Sequence, residues 1–160
     1  MWDHSECIQI DYDPNQISYC DLLDIFWHHH SPESNRPTQY MSLILYESDT
    51  EKEQAIATKA RQEEKKNSKL YTEIKPLTKF YLAEAYHHKY YLQLVPELKG
   101  DLRRTYPEVE DFINSTAAAR INGYVKGLGT MDELIVEIGD FNLSEQSNKR
   151  LLNIVEGFGR

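Results

Sequence analysis

Cysteine and histidine are the residue types in this sequence that most readily perform redox or metal chemistry. There are two cysteines, Cys7 and Cys20, and no Cys-x-x-Cys pair. A disulfide framework needs more cysteines, and a thiolate zinc site needs paired ones. The cysteine usage therefore fits a reducing compartment and favours neither kind of site.

The histidines fall in two runs, His28-His29-His30 and His87-His88, with His4 apart from both. Imidazole suits zinc and copper, so the runs could bind metal if they met in the fold. Neighbouring helical residues point about 100° apart, however, so adjacent histidines rarely ligate one ion. A solvated or helix-capping role is favoured, and no metal is predicted.

Composition excludes several functional classes. The 160 residues carry a formal charge of −8, and the one basic cluster, at residues 61–69, is interleaved with glutamates. Such a chain repels phosphate backbones, so a nucleic-acid partner is not expected. No apolar run approaches the roughly 18 residues that cross a bilayer, and residues 1–7 lack a signal-like pattern, so a cytoplasmic protein without a membrane partner is predicted.

Strand and helix patterns alternate through the first 94 residues. Strands are predicted at residues 6–12, 41–46 and 72–80 from alternating or continuous apolar residues, the last of them interrupted near Pro76. A helix should begin near Ser18, which has Asp21 three residues later. Ser48 and Thr50, each with a Glu three residues later, precede a charged stretch that predicts another helix at residues 51–66. Residues 28–37 should form a loop, and residues 82–94 are predicted to be helical.

The remainder of the chain has a helical pattern. Apolar residues recur at helical spacing over residues 107–124, with Gly127 as a stop signal. Thr130 and Glu133 predict a capped helix, and residues 143–155 a last one that ends at Gly157. The sequence thus predicts an α+β fold, an α/β sandwich of helices on a mixed sheet, with a helical C-terminal extension.

Several short motifs in the first 92 residues resemble the A-type peptide methionine sulfoxide reductases in order and spacing. The matching segments are His4-Ser5-Glu6, Asp11-Tyr12-Asp13-Pro14, Ile17-Ser18-Tyr19, Leu22-Leu23, Phe26-Trp27, Thr38-Gln39-Tyr40, Ser42, Ile44, Thr72-Glu73-Ile74, Phe80-Tyr81, Ala83-Glu84, Tyr86-His87 and Leu92. The resemblance implies a family-like domain at residues 1–98, incomplete at its N-terminus, and an extension at residues 99–160.

The resemblance assigns catalytic roles to Glu6 and Tyr40. By its match to the family's His-x-Glu motif, Glu6 would be the carboxylic acid in an apolar pocket that protonates or hydrogen-bonds the sulfoxide oxygen. Tyr40, in Thr-Gln-Tyr, would donate a second hydrogen bond to that oxygen. No cofactor is implied, since thioredoxin or a dithiol would act as the external reductant.

Neither cysteine is expected to be the nucleophile. Alternation along a strand would turn Cys7 away from Glu6 and into the core. Cys20 should lie in the first turn of a helix, but its neighbours supply no positive charge. The family's nucleophile lies in a Gly-Cys-Phe-Trp-Gly segment that would precede Met1, and the tail shows no resolving cysteine.

A loop also departs from the family pattern. Relatives place an Arg-x-Gly-Asn-Asp-x-Gly loop before Thr-Gln-Tyr, whereas here Asn35-Arg36-Pro37 leads directly into Thr38. The loop aspartate that helps to organise the family's site is therefore missing.

Two functions follow from these motifs. The first is a peptide-methionine (S)-S-oxide reductase, acting in protein repair and oxidative stress on oxidised proteins or free methionine sulfoxide through a cysteine sulfenic acid. The alternative is a truncated or catalytically dead relative that acts as a binding protein.

Overall fold

Two separately packed units make up the chain, and they divide between Phe80 and Tyr81. The computed structural model describes residues 4–158. The first unit contains helices α1 (Tyr19–His29) and α2 (Asp49–Lys66), strands β1 (Leu43–Tyr46) and β2 (Glu73–Pro76), and a short 3₁₀ helix at Thr38–Tyr40. This mixture of helices and a small sheet confirms the predicted α+β class.

Helix α1 begins where the capping pair predicts. The Ser18 hydroxyl accepts a hydrogen bond from the Asp21 backbone N–H at 3.2 Å, and the Asp21 carboxylate accepts one from the Ser18 N–H at 2.9 Å. This reciprocal arrangement satisfies donors that a helix start otherwise leaves free. Leu23 and Trp27, one turn apart, are the buried residues of the helix.

The two strands are parallel and run in register from Leu43 opposite Glu73 to Tyr46 opposite Pro76. Parallel strands need a long crossover, which α2 provides after starting at the Ser48 cap. The core of the unit consists of Leu23, Trp27, Ile44, Ala55 and Leu70.

Two strand predictions need correction. Residues 6–12 are not a strand, because no segment within the described residues pairs along them. A backbone hydrogen bond joins the Glu6 N–H to the Gln39 carbonyl oxygen, but no ladder follows it. The strand predicted at residues 72–80 is limited to β2, because its partner β1 ends at Tyr46 opposite Pro76. The Leu77 N–H still donates to the Tyr46 carbonyl oxygen at 2.8 Å.

The second unit is helical. Its helices are α3 (Tyr90–Gln93), α4 (Pro96–Thr105), α5 (Val109–Asn114), α6 (Thr116–Lys126), α7 (Met131–Glu137) and α8 (Glu145–Glu156), with a 3₁₀ helix at Ile138–Phe141. Their core residues are Leu92, Val95, Leu98, Leu102, Phe112, Ala118, Ile121, Tyr124, Leu134, Phe141, Leu151 and Val155.

Two helix predictions in this unit were wrong in extent. Residues 82–94 are mostly turns, with only α3 helical, because Lys89 adopts a left-handed backbone conformation with φ 52°. The single helix predicted at residues 107–124 is two helices, since the extended Ser115 ends α5 and its side chain caps α6.

Other helix signals in this unit were read correctly. Gly127 ends α6 with φ +85°, and Thr130 with Glu133 forms a capping box at the start of α7. Helix α4 was not predicted. The predicted boundary between residues 98 and 99 stays a prediction about the extent of the family-like domain.

Candidate functional site

Glu6 is attached to the 3₁₀ helix that carries Tyr40. The Glu6 N–H donates to the Gln39 carbonyl oxygen at 2.9 Å, and the Gln39 side-chain amide donates to Glu6 Oε1 at 2.9 Å. The Ser5 hydroxyl adds a third bond, to the Thr38 carbonyl oxygen at 2.7 Å. Two segments far apart in sequence are thereby held side by side.

Tyr40 immediately follows Gln39 and is 55% exposed. Its backbone N–H donates to the Pro37 carbonyl oxygen at 2.9 Å, which closes the turn that presents the ring. Glu6 is exposed as well, so the described residues place its carboxylate on an open surface and not in an apolar pocket. A phenol donates a hydrogen bond, and a carboxyl group does so when protonated, so each group has the chemistry of a hydrogen-bond donor.

The loop before Tyr40 is held by contacts with other parts of the first unit. The Pro32 carbonyl oxygen accepts from the Tyr71 N–H at 2.8 Å, and Glu33 forms an ion pair with Lys66 of α2. The shortened loop is thus fixed to the body of the first unit even without the family's glycines and aspartate.

A polar chain follows the 3₁₀ helix and was missed in the sequence. His30 Nδ1 lies 2.5 Å from the Phe26 carbonyl oxygen, and His30 Nε2 lies 2.7 Å from the Ser42 hydroxyl. That hydroxyl is 2.7 Å from the hydroxyl of Thr72. Ser42 and Thr72 both fall within the family-like motifs, which was the available signal, but no spacing rule connects them to His30.

Burial lowers the pKa of His30 from its ordinary value, although the bond to the Phe26 carbonyl opposes this shift. Lys66 also lowers the His30 pKa and Glu33 raises it, both to a smaller extent. The ring is therefore held in its neutral form near neutral pH.

The cysteines differ in part from expectation. Cys7 is exposed, which corrects the prediction of a core thiol: residues 6–12 are not paired in a sheet, so strand alternation does not bury it. Partial shielding of its thiol nevertheless raises the Cys7 pKa, which lowers the thiolate fraction at neutral pH. Cys20 lies in the first turn of α1, as predicted, and is half-buried.

The remaining histidines make local contacts. His28 bonds through Nδ1 to the Asp24 carbonyl oxygen at 2.7 Å, and His88 lies 3.1 Å from the Ala83 carbonyl oxygen. Among residues 4–158, no group of three or more His, Cys, Asp or Glu side chains is placed to hold a metal ion. No helix in that range is both long and apolar enough to cross a bilayer.

The first unit therefore combines an exposed carboxyl group and an exposed phenol with a small parallel sheet in an α+β protein. A family model described as peptide methionine sulfoxide reductase matches residues 2–120. The chain therefore belongs to the peptide methionine sulfoxide reductase family.

Individual relatives agree with this assignment. A peptide methionine sulfoxide reductase of Drosophila melanogaster is 38% identical over 147 residues, which are 90% of this chain and 58% of the relative. Peptide methionine sulfoxide reductase A5 of Oryza sativa subsp. japonica is 35% identical over 138 residues, 80% of this chain and 52% of the relative. Peptide methionine sulfoxide reductase MsrA of Nautilia profundicola is 45% identical over 94 residues, 55% of this chain and 54% of the relative. The chain spans about half the length of these curated relatives.

Proposed function

We propose that this protein acts in the reduction of methionine-S-sulfoxide to methionine, with Glu6 and Tyr40 as the groups that bind the sulfoxide oxygen. The observation that carries the proposal is the double hydrogen bond between Glu6 and Gln39, which holds the carboxylate next to the residue preceding Tyr40. The family supplies the reaction class, and the substrates are oxidised proteins or free methionine sulfoxide.

The chemistry requires an acid and a thiolate. The thiolate attacks the sulfoxide sulfur while the oxygen gains a proton or hydrogen bonds, because an unprotonated oxide is a poor leaving group. The attack forms an S–S bond while the S–O bond of the substrate breaks and its oxygen leaves as water. Water then attacks the enzyme sulfur, the S–S bond breaks with release of methionine and a proton, and the enzyme sulfur becomes a sulfenic acid. A dithiol such as thioredoxin then returns it to the thiol, forming water and its own disulfide.

Glu6 and Tyr40 perform the acid part of this reaction. A protonated Glu6 donates to the developing hydroxyl and then carries the negative charge, while the Tyr40 phenol donates without giving up its proton. The exposed position of both groups allows a methionine side chain on a folded protein to reach them. The cytoplasm is the proposed location, because thioredoxin and reduced cysteines occur together there.

The test measures binding and dithiothreitol-dependent reduction of a methionine-S-sulfoxide peptide by the full chain. Glu6→Gln should lower the rate by about 10²–10⁴-fold, as expected for loss of a general acid. Tyr40→Phe should lower it by about 10²–10³-fold, as for loss of one oxyanion donor. Affinity for the S-sulfoxide should fall in both variants, because both groups contact the oxygen.

Glu53→Gln on α2 and Tyr71→Phe are the matched controls, since both side chains are exposed and lie outside the site. They should behave like the parent protein. Unchanged kinetics in Glu6→Gln and Tyr40→Phe would remove these residues from the mechanism. A parent chain that neither binds nor reduces the S-sulfoxide would overturn the function itself.

The source of the thiolate is tested separately with a Cys7→Ser/Cys20→Ser double variant. We expect the same S-sulfoxide affinity as in the parent, because the proposal assigns binding of the sulfoxide oxygen to Glu6 and Tyr40 and to neither thiol. Turnover that is present in the parent and lost in the double variant would assign the nucleophile to one of these two cysteines.

A further inference from the structure

Tyr40 lies between two anchored stretches of chain. On its N-terminal side, Thr38 and Gln39 are bonded to Ser5 and Glu6. On its C-terminal side, two residues further on, Ser42 is held by its backbone and by its side chain. Its carbonyl oxygen accepts from the Glu73 N–H at 3.0 Å, and its hydroxyl joins His30 to Thr72.

The direction of each hydrogen bond in this second anchor follows from the chemistry of the groups. A carbonyl oxygen only accepts, so His30 Nδ1 must carry the proton that is donated to Phe26. In a neutral ring Nε2 is then the acceptor, and the Ser42 hydroxyl donates to it. The Ser42 oxygen is left to accept from the Thr72 hydroxyl, so every proton in the chain has a defined place.

Protonation of His30 reverses the hydrogen bond between its Nε2 and the Ser42 hydroxyl. Nε2–H becomes a donor to the Ser42 oxygen, so Nε2 no longer accepts the Ser42 proton. One of the two hydroxyl protons, on the partly buried Ser42 or on Thr72, which is only 1% exposed, then needs a new acceptor. A buried hydroxyl without an acceptor is costly, so the protonated chain is the weaker anchor.

We propose that His30 is a positioning residue for the oxide site, and that its neutral ring, acting through Ser42 and Thr72, fixes the chain that presents Tyr40. The proposal rests on the proposed function, because it gives the anchor a consequence for sulfoxide binding. Sulfoxide affinity is highest with His30 neutral and falls when the ring is protonated.

The charged groups around His30 come from the elements packed on it. Lys66 of α2 and Glu33 of the loop form an ion pair near the ring, and Lys59 of α2 donates to the Thr72 carbonyl oxygen at 2.7 Å. The Phe26 ring of α1 packs on the imidazole at a centroid distance of 3.9 Å. Burial lowers the His30 pKa, so the transition belongs below the ordinary value of 6.5.

A titration of the free protein by nuclear magnetic resonance tests the anchor without any substrate. The His30 ring signals should titrate with a midpoint below 6.5, and the amide signals of Gln39, Tyr40 and Ser42 should shift with the same midpoint. His30→Gln should abolish that shared step. His28→Gln should retain it, since His28 makes the equivalent bond to a carbonyl oxygen four residues earlier but is exposed.

The functional measurement is S-sulfoxide affinity across the same pH range. Below the His30 midpoint, affinity should fall about tenfold per pH unit if only the neutral form binds. Thr72→Val, which keeps shape and loses the hydroxyl, should weaken binding at neutral pH, and Thr72→Ser should restore it.

The outcomes separate the two proposals. Amide signals of Gln39 and Tyr40 that do not follow His30, or affinity that stays constant through its midpoint, would overturn the positioning role and leave the reductase function intact. A shared titration in a protein that binds no S-sulfoxide at any pH would support the anchor and overturn the function.

Discussion

At the scale of single residues, Asp101 shows how a buried charge stabilises the second unit. Its Oδ2 accepts from the Ser144 N–H at 2.8 Å and from the Ser144 hydroxyl at 2.6 Å, while Oδ1 pairs with Arg104. Burial raises the pKa of Asp101, but the bonds from Ser144 and the nearby Arg104 lower it more, so the net pKa is below its ordinary value. The carboxylate therefore links α4 to the start of α8.

This lowered pKa gives a signed pH dependence. A group whose pKa is depressed by folding contributes stability above its unfolded value, about 3.9, and loses that contribution as pH falls through the folded value. Asp101→Asn should cost about 1–3 kcal/mol near neutral pH and much less near about pH 2. Urea unfolding at several pH values measures this, with the exposed Asp140→Asn as the control. An equal cost at both pH values would contradict the assignment.

The site residues illustrate what a sequence can and cannot reveal at this scale. Glu6 and Tyr40 were identified from motifs, and their roles remain predictions. His30 was seen only as one of three adjacent histidines, because its partners Ser42 and Thr72 are distant in sequence. A hydroxyl becomes informative only when the fold brings a partner within hydrogen-bond reach.

At the scale of elements, helix starts were read more accurately than strands. Ser18, Ser48 and Thr130 cap helices through bonds to residues three positions later, a local pattern that a sequence displays directly. The strand predicted at residues 6–12 depended on a partner that local pattern does not contain. The long helix predicted at residues 107–124 was split because Ser115 caps more favourably than it continues a helix.

Gly129 follows α6 and has φ +83°. A substitution there tests how much the left-handed backbone at a helix end depends on glycine. An added Cβ there would lie 2.7 Å from Tyr124 Cε1, and Tyr124 is buried with its hydroxyl bonded to Glu137 at 3.1 Å. Gly129→Ala should lower the free energy of unfolding by about 1–2 kcal/mol from backbone strain alone, and by more once Tyr124 is displaced. Thermal unfolding measures the change.

Gly139→Ala is the control for this substitution, because a Cβ at Gly139 meets nothing within 4 Å and its φ is not positive. It should be neutral or stabilise the protein by about 0.4–1 kcal/mol. Equal effects of the two substitutions would show that neither φ nor Tyr124 limits position 129.

At the scale of the whole molecule, the two units have cores of unequal size. The second unit buries twelve clustered core residues, against five in the first. Since apolar burial supplies most of the favourable free energy of folding, we expect amide hydrogen exchange to be slower in α6 and α8 than in α1 and β1. Mass spectrometry of exchanged peptides resolves these segments.

A substitution in the core of the second unit tests whether that core determines the protection of its helices. Leu151 is fully buried, and Leu151→Ala should cost about 2–5 kcal/mol and speed exchange in α6 and α8. Equal protection of all helices in the parent protein would contradict the ranking and indicate a single cooperative transition.

The parallel arrangement of β1 and β2 also constrains the order of folding steps. Leu43 cannot pair with Glu73 until the intervening chain, including all of α2, has folded back between them. A helix of that length forms within about a microsecond. Pairing of two strands that are distant in sequence also costs the entropy of closing the loop between them. We therefore expect the sheet to assemble after α2 during synthesis and refolding, and the anchor at Thr72 to be completed at that late stage.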